Sequence, residues 1–369
     1  MRNYLLIVLL LSAGCKMQAD KIPPKPISGN LKYARGFSID YTDSLTVIEV
    51  YNPWNNYSLL ARYNLSNSYL RSSDFATNII VPVTDAAVLS STYLGFISIL
   101  NEHNKVVAAS NANWIYDSVL YNNFRTGKIA NLGNDLMVSA EAVIGTHPSA
   151  VIKYIYQAPD PVDPIIQKAG IPIIYAMEFM EDHPLGQAEW IKLFGALFNK
   201  KEYADSVFNQ IEAEYFRLVD LAKKSNTSPE VLAGTIYKGT WYAVGGKSYV
   251  ARLITDANAS YYWSIDSSTG SLPLSFEVVI QKQKDADFWL NANTSSLNEL
   301  FSIEPRCEIF KSFQQEEVYH YNKRQNENGG LDYYESGVAR PDLVLRDLLI
   351  ILHPGLIHGE TTYYQKLEH

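Results

Sequence analysis

Short apolar segments alternate with helical patterns along most of this chain, and this alternation restricts the fold more than any other feature of the sequence. In the first half, AVIKYIY (150–156) and IPIIYAM (171–177) flank the helical pattern DPIIQKAG (163–170). In the second half, VLAGTIY (231–237) and ADFWLNA (286–292) alternate with helical patterns in the same way. Because parallel strands need a crossover between them, this order predicts parallel sheets with helices on both faces.

One long amphipathic pattern interrupts the alternation. Between 185 and 225, apolar residues recur at helical spacing, with a break near Asn199. We therefore predict an α/β fold of two Rossmann-like lobes, at 29–184 and 226–358, joined by one long bridging helix at 185–225. Within the first lobe, residues 29–65 alternate apolar and polar side chains between turn signals, which predicts a small N-terminal antiparallel β meander.

The first residues, MRNYLLIVLLLSAGC, have the layout of a secretory signal. Their apolar run is too short to span a bilayer, which needs roughly 20 residues. Cys15 follows small residues, as in the lipobox of bacterial lipoproteins. We predict a lipoprotein signal peptide at 1–15 with Cys15 as the lipidated residue, a Pro-rich tether at 16–28, and a periplasmic protein held at a membrane. An ordinary signal peptide with an incidental cysteine is the alternative.

The composition argues against several classes of function. A net charge of −8 does not favour a nucleic-acid partner, and Cys307 is the only cysteine besides Cys15, so no internal disulfide is predicted. The motifs GxSxG, HExxH and CxxC do not occur, and the seven histidines are scattered, so the usual hydrolase, zinc-protease, dithiol and metal sites are not predicted. VGGKS (244–248) lacks the first glycine of a phosphate-binding loop, because Trp241 stands there.

The hexapeptide SAEAVI at 139–144 returns as SFEVVI at 275–280, once in each predicted lobe. In both copies, the serine can cap a helix and the glutamate, Glu141 or Glu277, lies in the first turn, where the helix dipole favours a carboxylate. From spacing alone, both glutamates can be helix-start residues without a further role.

Five stretches of the sequence resemble those of a known protein family in their order and spacing. The resemblance covers nearly the whole mature chain. The stretches are NLGNDLMVSAEAVIGTHPSAVI, GIPIIYAMEFMEDHPLGQAEWIKLFG, GGKSYVARLITDANASYYW, SFEVVIQKQKDADFWL and GVARPDLVLRDLLIILHP. The chain resembles the class III substrate-binding proteins of ABC importers for iron-siderophore complexes, haem and cobalamin, in which a single helix joins two α/β lobes. It departs from the usual Lys-Pro-Asp of that family at His147-Pro148-Ser149.

The resemblance implies a binding protein and not an enzyme. It implies capture of an iron complex, a siderophore or haem, between the lobes, and delivery to an ABC transporter permease dimer by a monomer without a resident cofactor. Cobalamin is the alternative cargo. An enzyme on a two-lobe metal-cluster scaffold is a further alternative, although the chain lacks cluster cysteines. The family would place Glu141 and Glu277 on the outer tips of the lobes, where they meet arginines of the permease.

Ligands of open α/β sheets bind at the carboxyl ends of the strands, and those ends carry aromatic, amide and hydroxyl side chains here. The chain has 26 tyrosines, and aromatic rings suit a large, flat or amphiphilic ligand. The predicted ligand-binding residues are Ser91, Thr92, Tyr93, Asn113, Trp114, Tyr116 and Tyr156 in the first lobe, with Lys238, Trp241, Tyr242, Trp263 and Asn293 in the second.

Overall fold

The structure of the protein is a computed structural model that describes residues 31–42, 45–69 and 76–369. The predicted signal peptide at 1–15, its Cys15 and the tether at 16–28 lie outside the described residues. Within the described part of the chain, no helix combines the length and the apolar character that crossing a membrane requires.

The N-terminal meander forms a separate four-stranded sheet in the order β1-β2-β3-β4. Strands β1 to β3 are antiparallel neighbours, which confirms the predicted meander, and β4 joins β3 in parallel. Alternation buries one face of this sheet, as Phe37, Ile39, Ile48 and Val50 show. The strands are β1 Phe37–Tyr41, β2 Thr46–Asn52, β3 Ser58–Ser66 and β4 Thr77–Ile80.

Lobe one contains a five-stranded parallel sheet in the order β7-β6-β5-β8-β9, as predicted. Its central strand is buried at every residue because helices cover both faces. The strands are β5 Ala86–Val88, β6 Val106–Ala109, β7 Ala130–Asn131, β8 Ala150–Lys153 and β9 Ile173–Tyr175. The helices are α1 Ser91–Ile99, α2 Ser118–Arg125, α3 Ala140–Gly145 and α4 Asp163–Lys168.

The segment predicted as one bridging helix at 185–225 contains three helices, which are α5 Pro184–Glu189, α6 Ile191–Leu197 and α7 Lys201–Ala222. The long helix is α7, and it starts after a break where Asn199 has a φ of 56°. A helix cannot continue through a left-handed residue, so the break falls where the sequence pattern weakened. The apolar face of α7 is buried at Ala204, Phe208, Ile211, Tyr215, Leu218, Val219 and Ala222.

Lobe two has a six-stranded sheet in the order β12-β11-β10-β13-β14-β15, and this sheet is mixed rather than parallel. Lys238 and Gly239, both at positive φ, close a two-residue turn that makes β10 and β11 antiparallel. The strands are β10 Val231–Tyr237, β11 Thr240–Val244, β12 Ser271–Ser275, β13 Phe288–Leu290, β14 Val318–His320 and β15 Gln365–Lys366. Because β15 pairs with β14, lobe two extends beyond the predicted boundary at 358.

The helices of lobe two are α8 Tyr249–Asp256, α9 Phe276–Gln283, α10 Leu297–Ile303, α11 Lys311–Gln314, α12 Ser336–Ala339 and α13 Pro341–Leu352. A second hydrophobic core lies in this lobe and centres on the rings of Trp241, Trp289, Phe276 and Phe310. The lobes therefore have different internal packing, although both are α/β.

Two buried carboxyl groups hold the chain just before β1. Glu189, at the end of α5, accepts hydrogen bonds from the backbone N–H groups of residues 32–34, at 2.8 to 3.1 Å. Glu181 accepts the backbone N–H groups of Arg35 and Gly36 and the indole N–H of Trp190. Five successive backbone groups thereby fix the start of the folded chain to the helices between the lobes.

Candidate functional site

The segments that follow the carboxyl ends of β6 in lobe one and β14 in lobe two contact each other. Residues 322–335, which follow β14, contact the loop that follows β6. We call residues 322–335 the crossing segment. The loop that it contacts, 113–117, includes the predicted residues Asn113, Trp114 and Tyr116, so these three lie where the lobes meet.

Glu335, at the end of the crossing segment, is buried and contacts lobe one. Its carboxyl group accepts hydrogen bonds from the backbone N–H groups of Tyr116 and Asp117, both at 2.8 Å. Burial raises the pKa of Glu335 to about 8. The backbone carbonyl of Glu335 also packs so closely on Gly95 of α1 that a Cβ there would lie 2.0 Å away. Gly95 thus permits the segment to lie directly on lobe one.

Further contacts extend along the same segment. The Asn326 side chain donates to the backbone carbonyls of Asn113 and Ile115, both at 2.9 Å. Gly330 lies against the carbonyl of Trp114, where a Cβ would approach to 1.9 Å. The guanidinium of Arg324 lies 5.1 Å from the ring centre of Tyr116. These contacts tie the two lobes together at one end of the inter-lobe region.

At the end of β5, the predicted residues Ser91 and Thr92 lie half-buried at the start of α1. The hydroxyl of Thr92 donates to the carboxyl Oε1 of Glu178 at 2.5 Å. Glu178 follows β9 and is buried, and among the described residues its Oε2 has no hydrogen-bond partner. Burial raises the pKa of this carboxyl to about 7. Lobe one therefore holds, below its carboxyl edge, a buried acid with one oxygen that lacks a hydrogen-bond partner among the described residues.

A row of four aromatic rings lies along the same edge of lobe one. Tyr156, a predicted ligand contact, meets Trp54 edge-on at 5.6 Å between ring centres. Trp54 lies 6.2 Å from Phe179, and Phe179 meets Tyr154 edge-on at 5.7 Å. The hydroxyl of Tyr154 donates to Asp135 at 2.8 Å, which fixes the far end of the row. We call Trp54, Tyr156, Phe179 and Tyr154 the aromatic row.

Two of the predicted contacts are wrong, because their side chains belong to the cores. Tyr93 is 0% exposed, and its hydroxyl donates to the backbone carbonyl of Ala176 at 2.7 Å. Trp241 is also 0% exposed and packs on Trp289 in the second core. Both residues lie near strand ends, as predicted. However, side chains along a strand or helix point inward as often as outward, so this position does not determine their direction. Neither presents a surface to a ligand.

The other predicted residues of lobe two are accessible. Lys238 is exposed in the turn between β10 and β11, and Tyr242 lies half-buried on β11 opposite Thr235. Trp263 is half-buried beside Tyr262, at 5.2 Å between ring centres. Asn293 is exposed after β13, and its backbone N–H donates to the His320 ring.

The sequence reading missed a cluster of tyrosines next to these residues. Tyr321 follows β14 and stacks on Tyr333 at 4.2 Å between ring centres. The hydroxyls of Tyr321 and Tyr334 share a hydrogen bond of 2.6 Å, and Tyr334 is 41% exposed. The high tyrosine content was the only sequence signal for this cluster, and it carries no positional information.

The repeated hexapeptides occupy equivalent helix starts. Ser139 accepts the N–H of Ala142 at 3.1 Å, and Ser275 accepts the N–H of Val278 at 3.4 Å. Glu141 and Glu277 are both exposed. Glu277 pairs with Arg306 at 2.8 Å, and the backbone N–H of its own helix turn together with Arg306 lowers its pKa.

Within the described residues, no group of three or more His, Cys, Asp or Glu side chains is arranged to hold a metal ion. Cys307 is buried in lobe two with a raised pKa, first because of burial and then because of Glu304 and Glu308.

Residues 87–324, more than half of the chain, match the profile of a family described as periplasmic binding protein. The chain belongs to the periplasmic binding protein family. Members of this family are binding proteins, and the match runs from lobe one into lobe two.

Solved structures of other proteins share this fold. A periplasmic heme-binding protein from Roseiflexus sp. RS-1 superposes with a TM-score of 0.59 at 21% identity, over 74% of this chain and 100% of that one. A periplasmic heme-binding protein from Pseudomonas aeruginosa gives 0.61 at 15% identity, over 76% and 97%. An ABC-type Fe3+-hydroxamate transport protein from Saccharomonospora viridis gives 0.55 at 16% identity, over 74% and 94%. These similarities confirm the predicted fold.

Among curated proteins, an uncharacterized lipoprotein of Methanocaldococcus jannaschii is 25% identical over 371 aligned residues, which cover 93% of this chain and 86% of that protein. A second uncharacterized protein of the same organism is 22% identical, over 79% of this chain and 88% of that protein.

Two parts of the site lie outside the matched region of this periplasmic binding protein. Trp54 belongs to the N-terminal meander, and most of the crossing segment, including Glu335, follows residue 324. The sequence predicts neither as part of the site, because neither lies at the end of a predicted parallel strand.

Proposed function

We propose that this periplasmic binding protein is the substrate-binding lipoprotein of an ABC importer. It captures an iron complex, a siderophore or haem, between its two lobes and delivers it to the permease dimer. The protein performs no catalysis, and the chelator or porphyrin supplies the metal ligands. The lipid on Cys15 keeps the monomer at the membrane where the permease lies.

The carboxyl edges of the two sheets carry this proposal. One edge presents exposed rings, such as Tyr156 and Phe179, and the other presents Tyr334, Trp263 and Lys238. Aromatic surfaces with a few polar groups suit a large ligand with apolar faces and polar substituents. The structural relatives include heme-binding proteins and an Fe3+-hydroxamate transport system, which favours an iron complex over other cargo of this kind.

Glu141 and Glu277 are the proposed contacts with the permease. Both are exposed carboxylates at matching helix starts, one in each lobe. A two-fold permease requires equivalent contacts from each lobe, and arginine suits a carboxylate because its planar fork keeps its charge when partly desolvated.

The cargo is tested on purified protein by absorbance and mass spectrometry of any retained ligand, followed by titration with ferric protoporphyrin, a ferric siderophore and cobalamin. A dissociation constant at or below roughly micromolar is expected for at least one iron complex. Tyr156→Ala should weaken that binding, whereas Tyr203→Ala, an exposed tyrosine of α7, serves as the matched control. Binding of cobalamin alone would replace the iron assignment, and binding of none of the three would remove the cargo proposal.

The anchor is tested separately. Cys15→Ala should abolish labelling with a fatty-acid analogue and move the protein from the membrane to the soluble fraction. The lipoprotein name of the Methanocaldococcus relative supports this expectation. Unchanged labelling and fractionation of the variant would reject Cys15 as the anchor without affecting the cargo proposal.

A further inference from the structure

Trp54 reaches the inter-lobe edge from the N-terminal meander, a sheet that precedes the region matched by the family. The turn that carries it is fixed in two ways. The Asn52 side-chain oxygen accepts the N–H of Trp54 at 3.0 Å, and the Asn52 amide donates to the carbonyl of Gln157 at 3.2 Å. One side chain therefore orients Trp54 and also ties the turn to the loop that carries Tyr156.

The backbone on both sides of this contact adopts the left-handed conformation, which residues other than glycine disfavour. Asn56 and Tyr57 have φ values of 49° and 54°, and Gln157 has a φ of 65°. Such residues cost stability, and they persist only where the surrounding structure holds them. Here these residues lie where the turn of the meander contacts the loop after β8.

The aromatic row is not an ordinary core cluster, because its rings remain in contact with solvent. Tyr156 is 71% exposed and Phe179 is 38% exposed. Edge-on contacts between neighbouring rings leave ring faces uncovered. Within the row, Phe179 directly follows Glu178, which comes after β9, at the carboxyl edge of the lobe-one sheet where ligands of such sheets bind.

We propose that Trp54, Tyr156 and Phe179 form an aromatic platform, in which a flat ligand stacks on the face of one ring and contacts the inclined neighbouring rings at their edges. The platform extends the cargo site onto the meander and selects iron complexes with a flat conjugated ring system, such as a porphyrin. This inference rests on the proposed function and narrows it. A ring face gains dispersion and quadrupole contacts with the platform. A linear hydroxamate chelate with aliphatic linkers presents no such face and gains little.

The platform is tested by affinity measurements with two probes, ferric protoporphyrin IX and a linear ferric trihydroxamate. Trp54→Ala should weaken porphyrin binding about tenfold, since aromatic stacking contributes on that scale, and should change trihydroxamate binding less than about twofold. Trp54→Phe should retain most of the porphyrin affinity. Ile80→Ala is the control, because Ile80 is exposed on the same sheet but pairs with Ser66, at the opposite end from the Trp54 turn.

A double variant, Trp54→Ala with Tyr156→Ala, separates a platform from two independent contacts. Because the rings touch, the losses should be less than additive in free energy. Circular dichroism and thermal unfolding establish that each variant is folded before binding is measured.

Equal porphyrin affinity of Trp54→Ala and wild type overturns the platform, and so does wild-type protein that binds the trihydroxamate but not the porphyrin. In both cases the proposed function stands. Wild-type protein that binds neither these probes nor any other iron complex or cobalamin overturns the proposed function itself.

Discussion

The two copies of the repeated hexapeptide share a local structure but differ in their electrostatic surroundings. Each begins with a serine that caps a short helix and continues with an exposed glutamate in the first turn. In lobe one, Glu141 has no ion pair or hydrogen bond to another side chain within the described residues. In lobe two, Glu277 pairs with Arg306, which also pairs with the nearly buried Glu304 at 2.7 Å.

This difference has a structural origin. In lobe two, the residue before the glutamate is Phe276, which packs in the second core and lies 4.5 Å from the guanidinium of Arg306. In lobe one, the corresponding residue is Ala140, which is too small to hold an arginine in this way. A repeated motif can therefore conserve helix geometry and still present unequal net charge to a partner.

The largest effect is expected when both glutamates are removed. Glu141→Ala with Glu277→Ala should lower cargo uptake about tenfold, because both exposed rim contacts are lost and the contact of Glu277 is already weakened by Arg306. Uptake of iron isotope into cells or proteoliposomes with the partner permease provides the measurement. Cargo affinity and the free energy of unfolding should stay near wild type, since both side chains are exposed. Normal transport by this variant would show that neither glutamate is a contact with the permease.

Arg306→Met should remove the asymmetry between the copies while keeping an apolar stem on Phe276. The free energy of unfolding should fall at neutral pH, because Glu304 loses a charged partner in a nearly buried place. Arg306 lowers the pKa of Glu304, so its stabilisation is present above the unfolded pKa near 4.5 and is lost as pH falls.

Urea unfolding at pH 7 and pH 3.5 checks this expectation. The difference between wild type and Arg306→Met should shrink at the lower pH, because the ion pair loses its contribution to stability as the carboxyl group of Glu304 becomes protonated. A difference that does not depend on pH would attribute the loss to packing rather than to charge.

The single glutamate variants should be unequal. Glu141→Ala should lower uptake about fivefold and Glu277→Ala about twofold, because Arg306 already compensates part of the Glu277 charge. In the Arg306→Met background, the effect of Glu277→Ala should rise toward that of Glu141→Ala. Equal effects of the two single variants in wild type would show that the ion pair does not change how lobe two docks.

The smallest difference concerns the serine caps. Ser139→Ala should cost about 1 kcal/mol of unfolding free energy and Ser275→Ala about 0.5 kcal/mol, because the Ser275 hydrogen bond is the longer one. Urea unfolding resolves this order when both variants are measured under the same conditions. The reverse order would mean that other contacts, and not the caps, stabilise the two helix starts.

The sequence predicts the fold well because hydrophobic periodicity reports burial directly. The meander strands, the parallel strands of lobe one and the break at Asn199 all follow from it. The antiparallel β10–β11 turn is not predicted, although Lys238-Gly239 is a turn signal, because Trp241 and Tyr242 are interpreted as ligand-binding residues and not as part of a strand. Periodicity also cannot report β15, a two-residue strand that forms only by pairing with β14.

The candidate site is less predictable, because it depends on contacts between distant parts of the chain. Nothing local in NPWNN indicates that Trp54 meets Tyr156, about a hundred residues away. Glu335 accepts hydrogen bonds from residues more than two hundred positions earlier. The predictions that Tyr93 and Trp241 contact the ligand are wrong for a complementary reason. A position at the end of a strand says where a residue lies but not which way its side chain points.

The two carboxyl groups that hold residues 32–36 also determine how a mechanical load enters the protein. If the chain is anchored at Cys15, a pull from the membrane reaches residues 32–36 before it reaches β1. There, five successive N–H groups divide the load between the buried carboxyl groups of Glu189 and Glu181. Without these hydrogen bonds, the pull would act on the first residues of β1, where the hydrogen bonds between neighbouring strands can break one at a time. The meander sheet is thereby shielded from unzipping, and the force passes into the helices between the lobes.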